Sequence, residues 1–231
     1  MTASVQTGPG SRHLRTNAPS AHFRLEFTEH PMHFADFALN DLLSQTAAKT
    51  PTPGGGAVAS VVGALAAALA QMVVSYSLGK KNLAEHQSRL ESAAAELERA
   101  RGVFLTLADE DAAAYGLVNE LSRLPEGDPR RSELPAAQDA AANIPLATAA
   151  ACVDVLRLLE LLALRTNRHL RSDLAIASIL AESCARASAC NVRINLSSLD
   201  EVRRTAIEAN LARLLVTAAD LSATVERHAA P

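Results

Sequence analysis

Three adjacent acids, Asp109–Glu110–Asp111, stand inside an otherwise apolar, alanine-rich stretch, TLADEDAAAYGLV. Neighbouring carboxylates repel one another in a helix, and Asp is a poor helix former. A carboxyl pressed among Leu105, Leu107, Ala108, Ala112 and Ala113 loses water. Its pKa then rises, and it can take up and return protons near neutrality. Helical residues advance by about 100° each, so Asp109 and Asp111 diverge by about 200° and cannot both fully face one pocket. Asp111 and Tyr115 are four apart and share a face. A charged run also suits a solvated helix face, and these residues alone leave both readings open.

Four other groups have chemistry to offer. Pro51–Thr52–Pro53–Gly54–Gly55–Gly56 precedes an uncharged run from Ala57 to Gly79. The prolines discourage helix before them, and the glycines permit close backbone approach. A glycine turn at a helix start presents free N–H groups and a positive dipole end, which suits an anion or a polar ligand edge. A plain turn before a buried helix is the alternative. Lys80–Lys81 follows that helix, either as cations complementing its C-terminal dipole or as a carboxylate-binding pair. Arg171–Ser172–Asp173 opens a later helix, where Asp also suits the dipole and Ser172 is an expected N-cap. Asn191 and Asn195 bracket Arg193 at the end of that helix, a dense set of directional hydrogen-bonding groups.

The elements that must position these residues are helical throughout. The pattern predicts helices over about 34–47, 57–79, 82–124, 133–165, 173–194 and 200–228, without strand-like alternation. Leu124-Pro125-Glu126-Gly127-Asp128-Pro129 is a turn, Pro145 is an expected kink, and Ser197 or Ser198 an expected cap for the last helix. Small residues recur four apart on Ala59–Gly63–Ala67 and on Ser60–Ala64–Ala68 and let backbones approach closely, so that helix is expected to be buried all round, at the centre of a soluble bundle or at a subunit interface. The fold expected is all-α, an up-and-down bundle of about six helices around one long uncharged central helix. Residues 1–33 are polar and broken by Gly and Pro, and are expected to form a disordered or loosely docked extension to a single domain over 34–231.

Composition narrows the function. The chain has 231 residues, 48% hydrophobic but only 3% aromatic, so its core is packed with Ala, Leu and Val. A net charge of −3 without a basic run disfavours nucleic acid. The uncharged helix is long enough to span a bilayer, but it is poor in Leu, Ile and Phe and lacks flanking aromatics, so no membrane partner is expected. Cys152, Cys184 and Cys190 lack C-x-x-C spacing, and the N-terminus carries no secretory h-region; reduced thiols in a cytoplasmic protein are the simplest reading. Glu-x-x-His pairs, zinc-ligand clusters, a P-loop, a Rossmann glycine pattern and a G-x-S-x-G elbow are all missing. An enzyme of this composition is expected to use carboxylate acid–base chemistry, with no metal and no cofactor.

In order and spacing, TPTPGGGAVAS, SLGKK, DEDAAAY, RLPEG, IPLATA, RSDLAIAS and NVRINL resemble the cyclodeaminase/methenyltetrahydrofolate cyclohydrolase family, that of the C-terminal domain of formiminotransferase-cyclodeaminase. The resemblance covers about residues 36 to 205. This chain has Ala57 where Ser is common, Leu83 where an aromatic is common, and Tyr115 for a usual Phe. The resemblance implies an all-helical homodimer that binds a tetrahydrofolate derivative in clefts near the subunit contact. It places Asp111 as proton carrier, with Asp109 as alternative or companion. Gly54, Gly55, Gly56, Lys80, Lys81, Tyr115, Ser172, Asp173, Asn191, Arg193 and Asn195 are the expected substrate-binding residues. A separate formiminotransferase is a candidate partner.

Two reactions fit that frame. Cyclodeamination of 5-formiminotetrahydrofolate gives 5,10-methenyltetrahydrofolate and ammonia, and it is the first expectation. Hydrolysis of the methenyl compound to 10-formyltetrahydrofolate is the alternative. A catalytically silent helical dimerisation module is the third.

Overall fold

The computed structural model describes residues 33–229, and the expected N-terminal extension falls almost wholly outside them. Six α-helices carry the chain: α1 (Leu39–Ala47), α2 (Gly55–Ser75), α3 (Gln87–Ser122), α4 (Leu134–Leu162), α5 (Arg171–Asn195) and α6 (Glu201–Ala229). Short 3-10 turns precede most of them, and no strand occurs among the described residues. The connections between the long helices are short, so successive ones run in opposite directions. Gly54–Gly56, the starts of α4 and α6, and the end of α5 therefore share one end of the bundle. The end of α2 and the start of α5 share the other, tied by the Asn167 N–H donating to Ser77 Oγ at 2.9 Å.

The all-α, up-and-down expectation holds, with shifted boundaries. Helix α2 begins at Gly55 rather than Ala57 and ends at Ser75, and Gly79 takes a positive φ of 72° in the turn that follows. Its chain neighbour α3 is preceded by a 3-10 turn over Lys81–His86, whose exit is fixed by Gln87: its Oε1 accepts from the Gly79 N–H at 2.7 Å. Ser172 is not an N-cap. A 3-10 turn over Arg168–Leu170 runs straight into α5 at Arg171, and Asn167 caps that turn by accepting from the His169 N–H. Nor do Ser197 and Ser198 cap α6. Their hydroxyls donate back to the carbonyls of Ile194 and Asn195, and Asp200 accepts from the Arg203 N–H instead.

Small side chains set the packing. Ala57, Ala59, Ala66, Ala67 and Ala70 of α2 are buried among α3, α4 and α5. A β-carbon at Gly63 would stand 2.6 Å from the Phe104 ring, so the missing side chain is what seats that fully buried aromatic. Cys184 donates from α5 to the Ala59 carbonyl, and Ser60 pairs with Thr148 of α4 at 3.3 Å. The small-residue stripes are thus consumed by packing within one chain. A different α2 face, including Leu65 at 57% exposure and continuing to Tyr76 at 61%, is left open to solvent. Helix α2 is long and apolar enough to cross a membrane, but more than half of its most apolar window is buried in the bundle.

Candidate active site

The start of α2 lacks a side-chain cap. The Val58 N–H closes the first helical bond on the Gly54 carbonyl, which leaves the N–H groups of Gly55, Gly56 and Ala57 without an intrahelical acceptor. Asp111 reaches the last of these, the Ala57 N–H, from α3. Its carboxyl lies where a β-carbon on Gly56 would be, so only glycine admits it. Burial raises the Asp111 pKa above the ordinary carboxyl value, and the Ala57 backbone N–H facing it opposes the rise only in part.

Around it opens a cavity of about 250 Å³. Gly54, Gly55 and Gly56 form one wall, Asp111 and Tyr115 another, and Asn191, Ile194 and Asn195 the third. Asp111 and Tyr115 share a face, as their spacing requires. Asn191 presents its amide to α2, 3.7 Å from where a Gly55 β-carbon would stand. Asn195 is fixed by a backbone defect in the facing helix. Pro145, inside α4, has no N–H, so the Ala141 carbonyl loses its usual intrahelical partner. The Asn195 Nδ2 donates to that carbonyl at 2.7 Å. The IPLATA and NVRINL segments therefore form one constructed corner of the cleft.

Not every expected residue comes here. Asp109 points away: its Oδ1 accepts from the Phe34 N–H at 2.8 Å, and its Oδ2 lies 3.2 Å from His33 Nδ1. Arg193 faces the groove between α5 and α6, beside Arg186, Cys190 and Leu215. Lys80 and Lys81 are not beside the glycine loop. They follow the far end of α2, whose 21 residues span about 30 Å at 1.5 Å per residue. Ser172 and Asp173 are at that far end too, because α5 runs antiparallel to α2. Sequence reasoning did not place Pro51, Thr52, Ala112, Ala141 and Ile194 on the cavity wall. Ile194 was detectable, since it shares a helix face with Asn191 at a spacing of three.

An antiparallel helical bundle thus sets one desolvated carboxyl against a glycine helix start at the wall of a cavity. The formiminotransferase-cyclodeaminase family matches residues 38–213, and the chain belongs to this folate one-carbon cyclodeaminase/cyclohydrolase family. It is 31% identical over 194 residues to methenyltetrahydrofolate cyclohydrolase of Methylorubrum extorquens, covering 82% of this chain and 92% of that protein. Identity to formimidoyltransferase-cyclodeaminase of Gallus gallus is 28%, over 77% of this chain but only 34% of that longer protein. The crystal structure of formiminotetrahydrofolate cyclodeaminase from Thermotoga maritima matches with a TM-score of 0.79 at 31% identity, over 84% of this chain and 96% of that one.

Proposed function

We propose that this chain is a formimidoyltetrahydrofolate cyclodeaminase with Asp111 as its proton carrier. The observation that carries the reading is the partly buried Asp111 carboxyl, held against the first turn of α2 and its Ala57 N–H at the wall of a cleft. In the protonated formimino substrate, N10 attacks the carbon held on N5. The N10 proton must leave, and the departing nitrogen needs one proton to become ammonia. One carboxylate can take the first and deliver the second, which balances the step without a further acid. Ionised, it also stabilises the cationic methenyl product electrostatically. Tyr115, Asn191 and Asn195 supply directional hydrogen bonds for the pterin edge, and the α2 N–H groups can hold its carbonyl.

A second reading has its own support. The Methylorubrum extorquens relative named methenyltetrahydrofolate cyclohydrolase is covered nearly end to end. In that reaction the same carboxylate would draw a proton from the water that attacks the methenyl carbon. Near-ultraviolet absorbance of the methenyl chromophore separates the readings. A gain from 5-formiminotetrahydrofolate, with ammonia release, marks a cyclodeaminase. Loss of signal from the methenyl compound marks a cyclohydrolase. No change with either substrate would leave the helical module.

The working unit in this reading is a homodimer. A cavity of about 250 Å³ falls below the roughly 300–1,000 Å³ of a whole-ligand pocket, so one chain encloses only part of the substrate. A second copy laid antiparallel along the open face of α2 would bring its Lys80–Lys81 end towards the glycine loop. There the lysines would meet the carboxylates of the folate tail.

A further inference from the structure

Asp109 has two neighbours that no catalytic role requires. Its Oδ1 takes the Phe34 N–H at 2.8 Å, and its Oδ2 meets His33 Nδ1 at 3.2 Å. The turn it holds, Phe34–Asp36, drives Phe34 to 5% exposure in a small separate cluster with Ala57, Ala108 and Ala112. Phe37, Leu42 and Val61 pack around that cluster. Two of its members flank the proton carrier: Ala57 carries the N–H that faces Asp111, and Ala112 is its chain neighbour and a wall of the cleft. Phe34 therefore lies behind the α2–α3 junction on which Asp111 stands. Asp109, about 200° around α3 from Asp111, points at the back of the site rather than into it.

We infer that Asp109 is a positioning residue: it anchors the Phe34 turn over the rear of the α2–α3 junction and so keeps water from the back of the Asp111 carboxyl. The inference deepens the proposed reaction and rests on Asp111 as its proton carrier. The D-x-D pair then divides its labour, one acid exchanging protons and the other sealing the first from solvent. Few other charges bear on Asp111. Glu110 and Asp109 are its neighbours on α3, and His33 lies beyond Asp109. The cavity walls from α2, α4 and α5 add no charged side chain among the described residues.

The test compares Asp109→Asn with Asp109→Ala, which remove the same charge. Asn keeps an oxygen that can accept from the Phe34 N–H, and Ala does not, so their difference reports the anchor. Phe34→Ala removes the cover without touching any charge. The readouts are the acid limb of the kcat–pH profile and the 13C carboxyl titration of Asp111, the second of which needs no activity. The expected result is a fall of the Asp111 midpoint towards the ordinary carboxyl range in Asp109→Ala and Phe34→Ala, with a smaller fall in Asp109→Asn. Equal midpoints in the two Asp109 variants, or an unmoved midpoint in Phe34→Ala, would overturn the inference. So would a folded Asp109→Asn as inactive as Asp111→Asn, since Asp109 would then carry protons itself. If Asp109→Ala does not fold, Phe34→Ala alone decides. Full activity in Asp111→Asn would instead sink the proposed reaction, and the carboxyl titration would still judge the anchor.

Discussion

The Asp111 carboxyl occupies the space that a side chain on Gly56 would need. That exclusion links two short motifs fifty-odd residues apart and joins the first turn of α2 to the cleft around Asp111. Replacing Gly56 with Ala should push the carboxyl away from the Ala57 N–H. Overpacking of this kind costs about 1–3 kcal/mol, and activity should fall with it. Chemical denaturation and the methenyl absorbance assay measure the two effects. Wild-type activity in a folded Gly56→Ala protein would separate Asp111 from the α2 start.

Asp111→Asn should lower kcat by roughly 10²–10⁴-fold, the usual contribution of a positioned acid–base group. Its effect on stability should have the opposite sense. Because the folded pKa is raised, the native state binds the proton more tightly than the unfolded chain does. The stabilisation that protonation supplies is complete below the unfolded value and is lost as pH rises through the folded one. Above the folded pKa the ionised, desolvated carboxylate is a liability, and the neutral amide should melt higher. The gap should close as pH falls through the folded pKa. A variant that is less stable above that pKa would contradict the desolvation argument.

Asn195 should matter because of Pro145. Truncation to Ala leaves the Ala141 carbonyl with neither an intrahelical nor a side-chain donor, at a cost of about 1–3 kcal/mol. Restoring a backbone N–H through Pro145→Ala should shrink that cost. The measurement is a double-mutant cycle by urea unfolding. Additive effects would mean that the two sites are energetically independent despite their contact.

Dimer formation joins the two ends of the bundle in one expectation. Leu65→Lys, on the open face of α2, should yield a monomer near 24.3 kDa by light scattering, while the buried core is left alone. In the wild-type background, replacing Lys80 and Lys81 with Ala should raise KM more than it lowers kcat, and less so at high salt. In the monomeric background the same pair should have no effect, because about 30 Å separates it from the cleft of its own chain. A wild-type chain that stays an active monomer over a wide dilution range would remove the shared cleft.

The helices, their order and the acidic run were legible from the sequence because each rests on local physics. Apolar periodicity, proline and glycine breaks and the charge-free stretch of α2 are properties of neighbouring residues. The i, i+4 pairing of Asp111 with Tyr115 followed from helical pitch alone. Tertiary structure decided which of the candidates share a site. The length of α2 puts Lys80 and Lys81 at the end opposite Gly54–Gly56, and the short connections that alternate helix direction send Ser172 and Asp173 there too. The same 200° that parts Asp109 from Asp111 parts Arg193 from Asn195, but only the neighbouring helices determine which member of each pair faces the cleft. Asn195 pairs with the Ala141 carbonyl because α4 and α5 lie side by side there. A proline's missing donor can be read from sequence, but the group that satisfies the carbonyl it leaves free is chosen by packing.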